Sequence, residues 1–222
     1  MDFNHEQFQD ACENDNIRVA KLIIETVLKH SPEHLMPMIS SKCYYSLRWA
    51  CEKGHLEVVK LLLSTVLQRS RGHLMPMIRS DDYYSLRWAC ENGHLEVAEL
   101  LISTVLQHSP GHLMPMISSD DYLSLRWACE NGHLEVAELI IATVLQHSPG
   151  HLMPMISSWD YYSFRLACEK GHLEVVKLLL STVLQRSPGH LMPMIRSDDY
   201  GSLRWACKNG RLGVVQLLSN YI

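Results

Sequence analysis

No apolar run in these 222 residues reaches the roughly 20 consecutive positions that a membrane-spanning helix needs, so no transmembrane segment is expected. The opening stretch, MDFNHEQFQDACEND, has neither the basic start nor the apolar core of a secretory signal, which points to a soluble, cytoplasmic chain. Positive charge is also short. The 20 Lys and Arg against 24 Asp and Glu leave a net charge of −4, and with no basic field to hold phosphates nucleic acid is not an expected partner. Missing too is any singular set of nucleophile, base and orienting acid. Nearly every polar group is present in five or six copies, whereas a catalytic site is a single constellation, so neither enzymatic activity nor a cofactor is expected.

What the chain does have is repetition. Cys12, Cys51, Cys90, Cys129, Cys168 and Cys207 stand 39 residues apart, and the residues around them keep the same register. The stretch 86–102, LRWACENGHLEVAELLI, is the clearest copy. A hydrophobic content of 47% would support one or two globular domains, but a fixed period of this length marks a stacked-repeat architecture in which each copy buries its apolar face against its neighbours. The reading is a single array over 1–222, with a capping repeat at 1–46, four inner repeats at 47–202 and a second cap at 203–222. Stacked helices place equivalent atoms roughly 8–10 Å apart, too far for a disulfide, so the cysteines are expected as buried free thiols in a reducing compartment.

Tyr84-Ser85-Leu86-Arg87, followed by Ala89-Cys90, Gly93-His94, Val97 and Leu100-Leu101, resembles the ankyrin repeat, whose pattern runs T-P-L-H, two small residues, G-H, V and L-L. The likeness covers the helical half of all six copies and is weakest in the first. Two departures stand out: the period exceeds the usual roughly 33 residues, and the G-A-D-x-N run that opens the ankyrin β-turn finger is missing. The resemblance implies an all-α, ankyrin-like solenoid of helix-turn-helix repeats, with protein partners held along the finger and inner-helix edge. Such arrays occur in eukaryotes, and in bacteria and large viruses that live inside host cells.

Within an inner repeat, a first helix is expected over 83–92, with Leu86, Ala89 and Cys90 as its buried stripe and Gly93 as a left-handed C-cap. A second helix follows over 95–107, longer than its ankyrin counterpart. The spacer SPGHLMPMISSDD reads as a helical turn over 112–117 with Ser109 as N-cap, an extended hook being the competing form because Pro115 lacks an amide donor. Asp82, Asp121, Asp160 and Asp199 are expected N-caps for the next first helix. The tryptophan row is expected to pack towards the preceding repeat.

The histidines form two ladders, one at His55, His94, His133 and His172, the other at His34, His73, His112, His151 and His190. Members of a ladder lie a full repeat apart, too far for ligands that must sit about 2 Å from one zinc, so loop-ordering hydrogen bonds are expected in place of metal. The Arg48, Arg87, Arg126, Arg165, Arg204 row either bridges to Glu91-type residues one turn on or receives an acidic partner.

Positions where the copies differ are free of the demands of stacking and are available for recognition. One such row is Lys42, Asp81, Asp120, Trp159, Asp198; another is Tyr45, Tyr84, Leu123, Tyr162, Gly201. Trp159, expected exposed, is the foremost candidate. With Asp81, Asp120, Asp198, Lys42, Tyr84, Leu123, Tyr162, Arg87, Arg126 and Arg165 it makes up the candidate protein-binding edge of a monomeric, non-catalytic scaffold. The alternatives are a structural, engineered or recently duplicated array with no dedicated ligand, and a substrate-recruiting piece of a larger protein.

Overall fold

The structure, a computed structural model, describes residues 5–222; the first four residues of the expected N-terminal cap lie outside it. Among the described residues all regular structure is helical. Repeat one supplies α1 (His5–Glu13) and α2 (Ile17–His30), and repeat two α3 (Leu35–Lys53) and α4 (Leu56–Arg69). Repeat three supplies α5 (Leu74–Ile78), α6 (Ser80–Glu91) and α7 (Leu95–His108), and repeat four α8 (Leu113–Ile117), α9 (Ser119–Asn131) and α10 (Leu134–His147). Repeat five gives α11 (Leu152–Lys170) and α12 (Leu173–Arg186); repeat six gives α13 (Leu191–Lys208) and α14 (Leu212–Ser219).

The chain forms two compact units, Met1–Met116 and Ile117–Ile222. In the first, α1, α3 and α6 stack in one row and α2, α4 and α7 in another; in the second, α9, α11 and α13 stack beside α10, α12 and α14. The expected stripe is what these rows bury: Leu86, Ala89 and Cys90 on α6, then Val97, Ala98, Leu101, Ile102 and Val105 on α7. Repeat five has Phe164 and Leu166 where its sisters have leucine and tryptophan; both are buried, and the exchanged sizes keep the interior filled.

The histidines of the first ladder tie neighbouring repeats together. His55 Nε2 donates to the Glu13 carbonyl at 3.0 Å, His94 Nε2 to that of Glu52 at 3.0 Å and His172 Nε2 to that of Glu130 at 2.8 Å. Where repeat six has Arg211, its Nε reaches the Glu169 carbonyl at 3.1 Å. One acceptor is thus served by two residue types.

The spacer is helical. A 3₁₀ turn, Pro110–His112, leads into α8. Pro115 is tolerated because it lies in the first turn, where its missing amide would have had no intrahelical acceptor. Ser109 does not cap through its side chain; its amide N–H instead closes α7 on the Val105 carbonyl at 2.8 Å.

Cys12, Cys51, Cys90, Cys129 and Cys168 are buried, while Cys43 and Cys207 are exposed, so the expectation of a wholly buried ladder fails at its last member. Burial pushes the thiols of Cys12 and Cys51 up to about 12, the Ser46 and Ser85 hydroxyls beside them only partly offsetting it. Cys129 and Cys168 move the same way for the same reason. A thiolate-selective reagent at mildly alkaline pH should therefore label Cys43 and Cys207 in the folded protein and reach all seven cysteines after denaturation. Mass spectrometry of the labelled protein reads this directly, and rapid labelling of Cys51 in the native state would contradict it.

Candidate protein-binding edge

From repeat two onward, each first helix is entered through a turn whose left-handed backbone the sequence pattern did not announce. Three successive residues take positive φ: Lys42-Cys43-Tyr44, Asp81-Asp82-Tyr83, Asp120-Asp121-Tyr122, Trp159-Asp160-Tyr161 and Asp198-Asp199-Tyr200. Left-handed backbone costs an ordinary L-residue roughly 1–2 kcal/mol, and less for Asp, whose short polar side chain tolerates it. That explains the Asp-Asp sequence. The local cost must be offset by contacts made elsewhere.

Two sets of contacts do so, the first at all five turns and the second at the first four. The arginine six residues on donates Nη2 to the carbonyl of the first turn residue: Arg48 to Lys42 at 3.1 Å, Arg87 to Asp81 at 2.8 Å, Arg126 to Asp120 at 3.2 Å, Arg165 to Trp159 at 3.1 Å and Arg204 to Asp198 at 2.8 Å. The tyrosine at the third position turns inward, and its hydroxyl is hydrogen-bonded to Nδ1 of the spacer histidine 29 residues later. The pairs are Tyr44 with His73 at 2.9 Å, Tyr83 with His112 at 3.2 Å, Tyr122 with His151 at 3.1 Å and Tyr161 with His190 at 2.8 Å. Burial raises all four tyrosine hydroxyls above their ordinary range, so they stay protonated as donors.

Further bonds link one turn to the next within a unit. Arg48 Nη1 meets the Asp81 carboxylate at 2.8 Å and Arg165 Nη1 that of Asp198 at 3.1 Å. Ser158 Oγ donates to the Asp121 carbonyl at 3.1 Å, and the Asp198 amide donates to Asp160 Oδ2 at 3.0 Å. Asp121 and Asp160 therefore aim their carboxylates at the following repeat in place of capping their own helices. Tyr84 reaches the preceding repeat, donating to Glu52 Oε2 at 2.8 Å, and Trp88 of the same helix stacks on it at 5.1 Å. Burial first, then that carboxylate, holds the Tyr84 hydroxyl well above its usual range.

The candidate residues divide accordingly. Lys42, Asp81, Asp120, Trp159 and Asp198 are exposed; Tyr84, Tyr162, Arg87 and Arg165 are half-buried; Leu123 and Arg126 are buried. Arg48, Arg126 and Arg165 place their forks on turn carbonyls and not on a glutamate one turn on. In the second unit Arg126 and Arg165 flank Trp159, which is 59% exposed, and its neighbour Tyr162. Its indole Nε1 donates to Asp121 Oδ2 at 3.0 Å, the Arg126 guanidinium lies 4.4 Å from its ring centroid, and the Tyr162 ring is 6.3 Å away under Arg165. Asp121 and the adjoining Asp160 are both exposed, and Asp160 Oδ2 in turn holds the Asp198 amide. An aromatic plate set among carboxylates suits a protein side chain carrying apolar and cationic parts. Asp121 and Asp160 were read from the sequence as helix caps and not as binding residues, because at these positions the copies scarcely differ.

Among the described residues no group of three or more His, Cys, Asp or Glu is placed to hold a metal ion, and no helix is long and apolar enough to cross a membrane. The model of the family described as ankyrin repeats (3 copies) matches residues 8–109, 47–147 and 125–222. No curated protein matches the chain. Among solved structures, an ankyrin repeat family protein from Legionella pneumophila aligns over 96% of this chain and 71% of its own, at 21% identity and a TM-score of 0.48. With the family pattern matched from the first repeat to the last, on an all-helical stack of paired helices, this chain belongs to the ankyrin-repeat family.

Proposed function

We propose that this protein is a non-catalytic scaffold whose edge around Trp159 holds a protein partner. Ankyrin repeats are in general protein-interaction modules, and the observation that carries the reading here is the exposed indole at a position where the sister repeats have Lys or Asp. A large aromatic left largely in water costs solubility unless another surface covers it, and tryptophan is the residue most enriched among binding hot spots. The buried thiols fit a reducing compartment such as the cytoplasm, of the source cell or of its host.

Trp159→Asp restores the residue its sisters carry and suits a left-handed backbone better than tryptophan does, so the fold should be unaffected. Partner capture from the native cell should fall by at least about 30-fold in affinity, the loss expected of a hot spot. The rival reading gives Trp159 a purely structural task, and the bonds to Asp121 and Arg126 favour it. On that reading Trp159→Asp lowers the melting temperature and leaves capture untouched. That outcome, or unaltered capture by Trp159→Ala combined with Asp120→Ala, would remove this edge from consideration.

A further inference from the structure

The outer faces of repeats one and six are open at the positions that the other repeats bury. Val58, Val97, Val136, Val175 and Val214 are buried, yet Val19 is 38% exposed and Leu22 beside it 62%. With Asp10 and Asn16 these residues line a groove of about 500 Å³. On repeat six, Cys207 is exposed where five sister cysteines are buried, next to Trp205 at 40% and Leu212 at 78% exposure. Both faces are apolar at the centre and charged at the rim: Glu6 and Asp10 on one, Arg204 and Lys208, with Asp199 beside Arg204, on the other.

The interior junctions show which residues such faces bring together. Tyr84 of repeat three donates to the Glu52 carboxylate of repeat two, and His94 donates to the Glu52 carbonyl. Carried along the 39-residue register, the Glu52 position on repeat six is Lys208 and the Tyr84 position on repeat one is Glu6. Donor and acceptor have changed sides together. A lysine stands where the interior has a carboxylate, and a carboxylate where it has a hydroxyl donor, an exchange that preserves the bond only when these two faces meet. The His94 position is Asn16, whose Oδ1 already accepts the Val19 amide and whose NH₂ is the donor a Lys208 carbonyl requires.

We infer that the chain associates head to tail with further copies of itself, the face of repeat six docking on the face of repeat one in the register of an interior junction. This replaces the monomer expected from the sequence. A contact between two unlike faces does not close on itself as a twofold dimer does, so the product is a growing chain of copies, weakened by salt because its rim pairs opposite charges.

Sedimentation velocity of the 222-residue chain over about three decades of concentration, up to millimolar, tests this. The average mass should climb past that of a dimer and fall again with added salt. Leu22→Glu and Leu212→Glu, both on exposed positions, should each give a monomer, and an equimolar mixture of the two should give a one-to-one dimer that grows no further. Lys208→Glu should weaken association at least about tenfold, and Glu6→Lys in the same chain should restore it. Circular dichroism confirms that every variant is folded. A parent that stays monomeric throughout, a parent that stops at a dimer, or end variants that fail to complement each other would overturn the proposal. Failure of the charge swap to rescue would overturn the register on which it rests.

Discussion

Raising the pH above 9 is expected to unfold this protein steeply. In the folded state Cys12 and Cys51 are held at about 12, and Cys129 and Cys168 are shifted upward likewise, all by burial; the ordinary thiol value is 9.0. The sign follows from proton counting. Below pH 9 both states carry the proton and the thiols have no effect. Between 9 and 12 the unfolded chain releases protons that the folded chain retains, so the unfolded state gains stability with each step of pH. Each thiol contributes about 1.4 kcal/mol per pH unit. With two such thiols in each compact unit the slope is about 3 kcal/mol per pH unit, enough to consume an ordinary domain stability of about 5–15 kcal/mol within a few units. Tyr83, Tyr122 and Tyr161, raised chiefly by burial, steepen the fall above 10. Far-UV circular dichroism against pH would show the transition, and replacing Cys12, Cys51, Cys129 and Cys168 by Ala should flatten it. An alanine variant with the slope of its parent would acquit the thiols.

Gly132→Ala is expected to destabilise the second unit by about 2–4 kcal/mol, while the same change at Gly150 leaves it unharmed. Gly132 ends α9 with φ at +77°, and a Cβ there would lie 2.4 Å from His172 Nδ1. The imidazole cannot simply step aside, because its Nε2 is bound to the Glu130 carbonyl at 2.8 Å. Alanine therefore meets a left-handed backbone costing about 1–2 kcal/mol and the loss of a repeat-linking hydrogen bond worth about 1 kcal/mol or more. Gly150 has nothing within 4 Å of an added Cβ, so alanine there should be neutral or stabilise by up to about 1 kcal/mol by restricting the unfolded chain. Urea denaturation of both variants reads the contrast. Equal stabilities would mean that the His172 ring is not held as described.

The histidine contact also marks how far pattern reading reaches. The 39-residue period, the Leu86-Ala89-Cys90 stripe and the glycine before each histidine gave the helices and their ends, and the proline after Ser109 gave the helical spacer. These features are local, set by backbone preference and by the spacing of apolar residues along one turn or two. The ladder histidines were legible as ordering groups, yet their partners were not, since each partner is a backbone carbonyl about 42 residues away.

The edge followed the same division. Trp159 stood out because its sisters differ from it, and the structure leaves it exposed. The rest of its surroundings had weaker signals. An arginine always six residues after the start of a turn, and a histidine always 29 after its tyrosine, were present as constant offsets but named no geometry. Leu123, chosen for its variability, is buried, because a position can vary among copies by packing differently and not only by facing solvent.

The sequence by itself determined the family, the repeat and the secondary structure, because periodic burial and glycine caps act within a turn or two of chain. Tertiary structure alone decided the left-handed turns, the arginines that clamp them and the exposure of Cys207. Each of these balances a local cost or a missing cover against contacts from residues distant in the chain, and that balance exists only once the repeats are stacked.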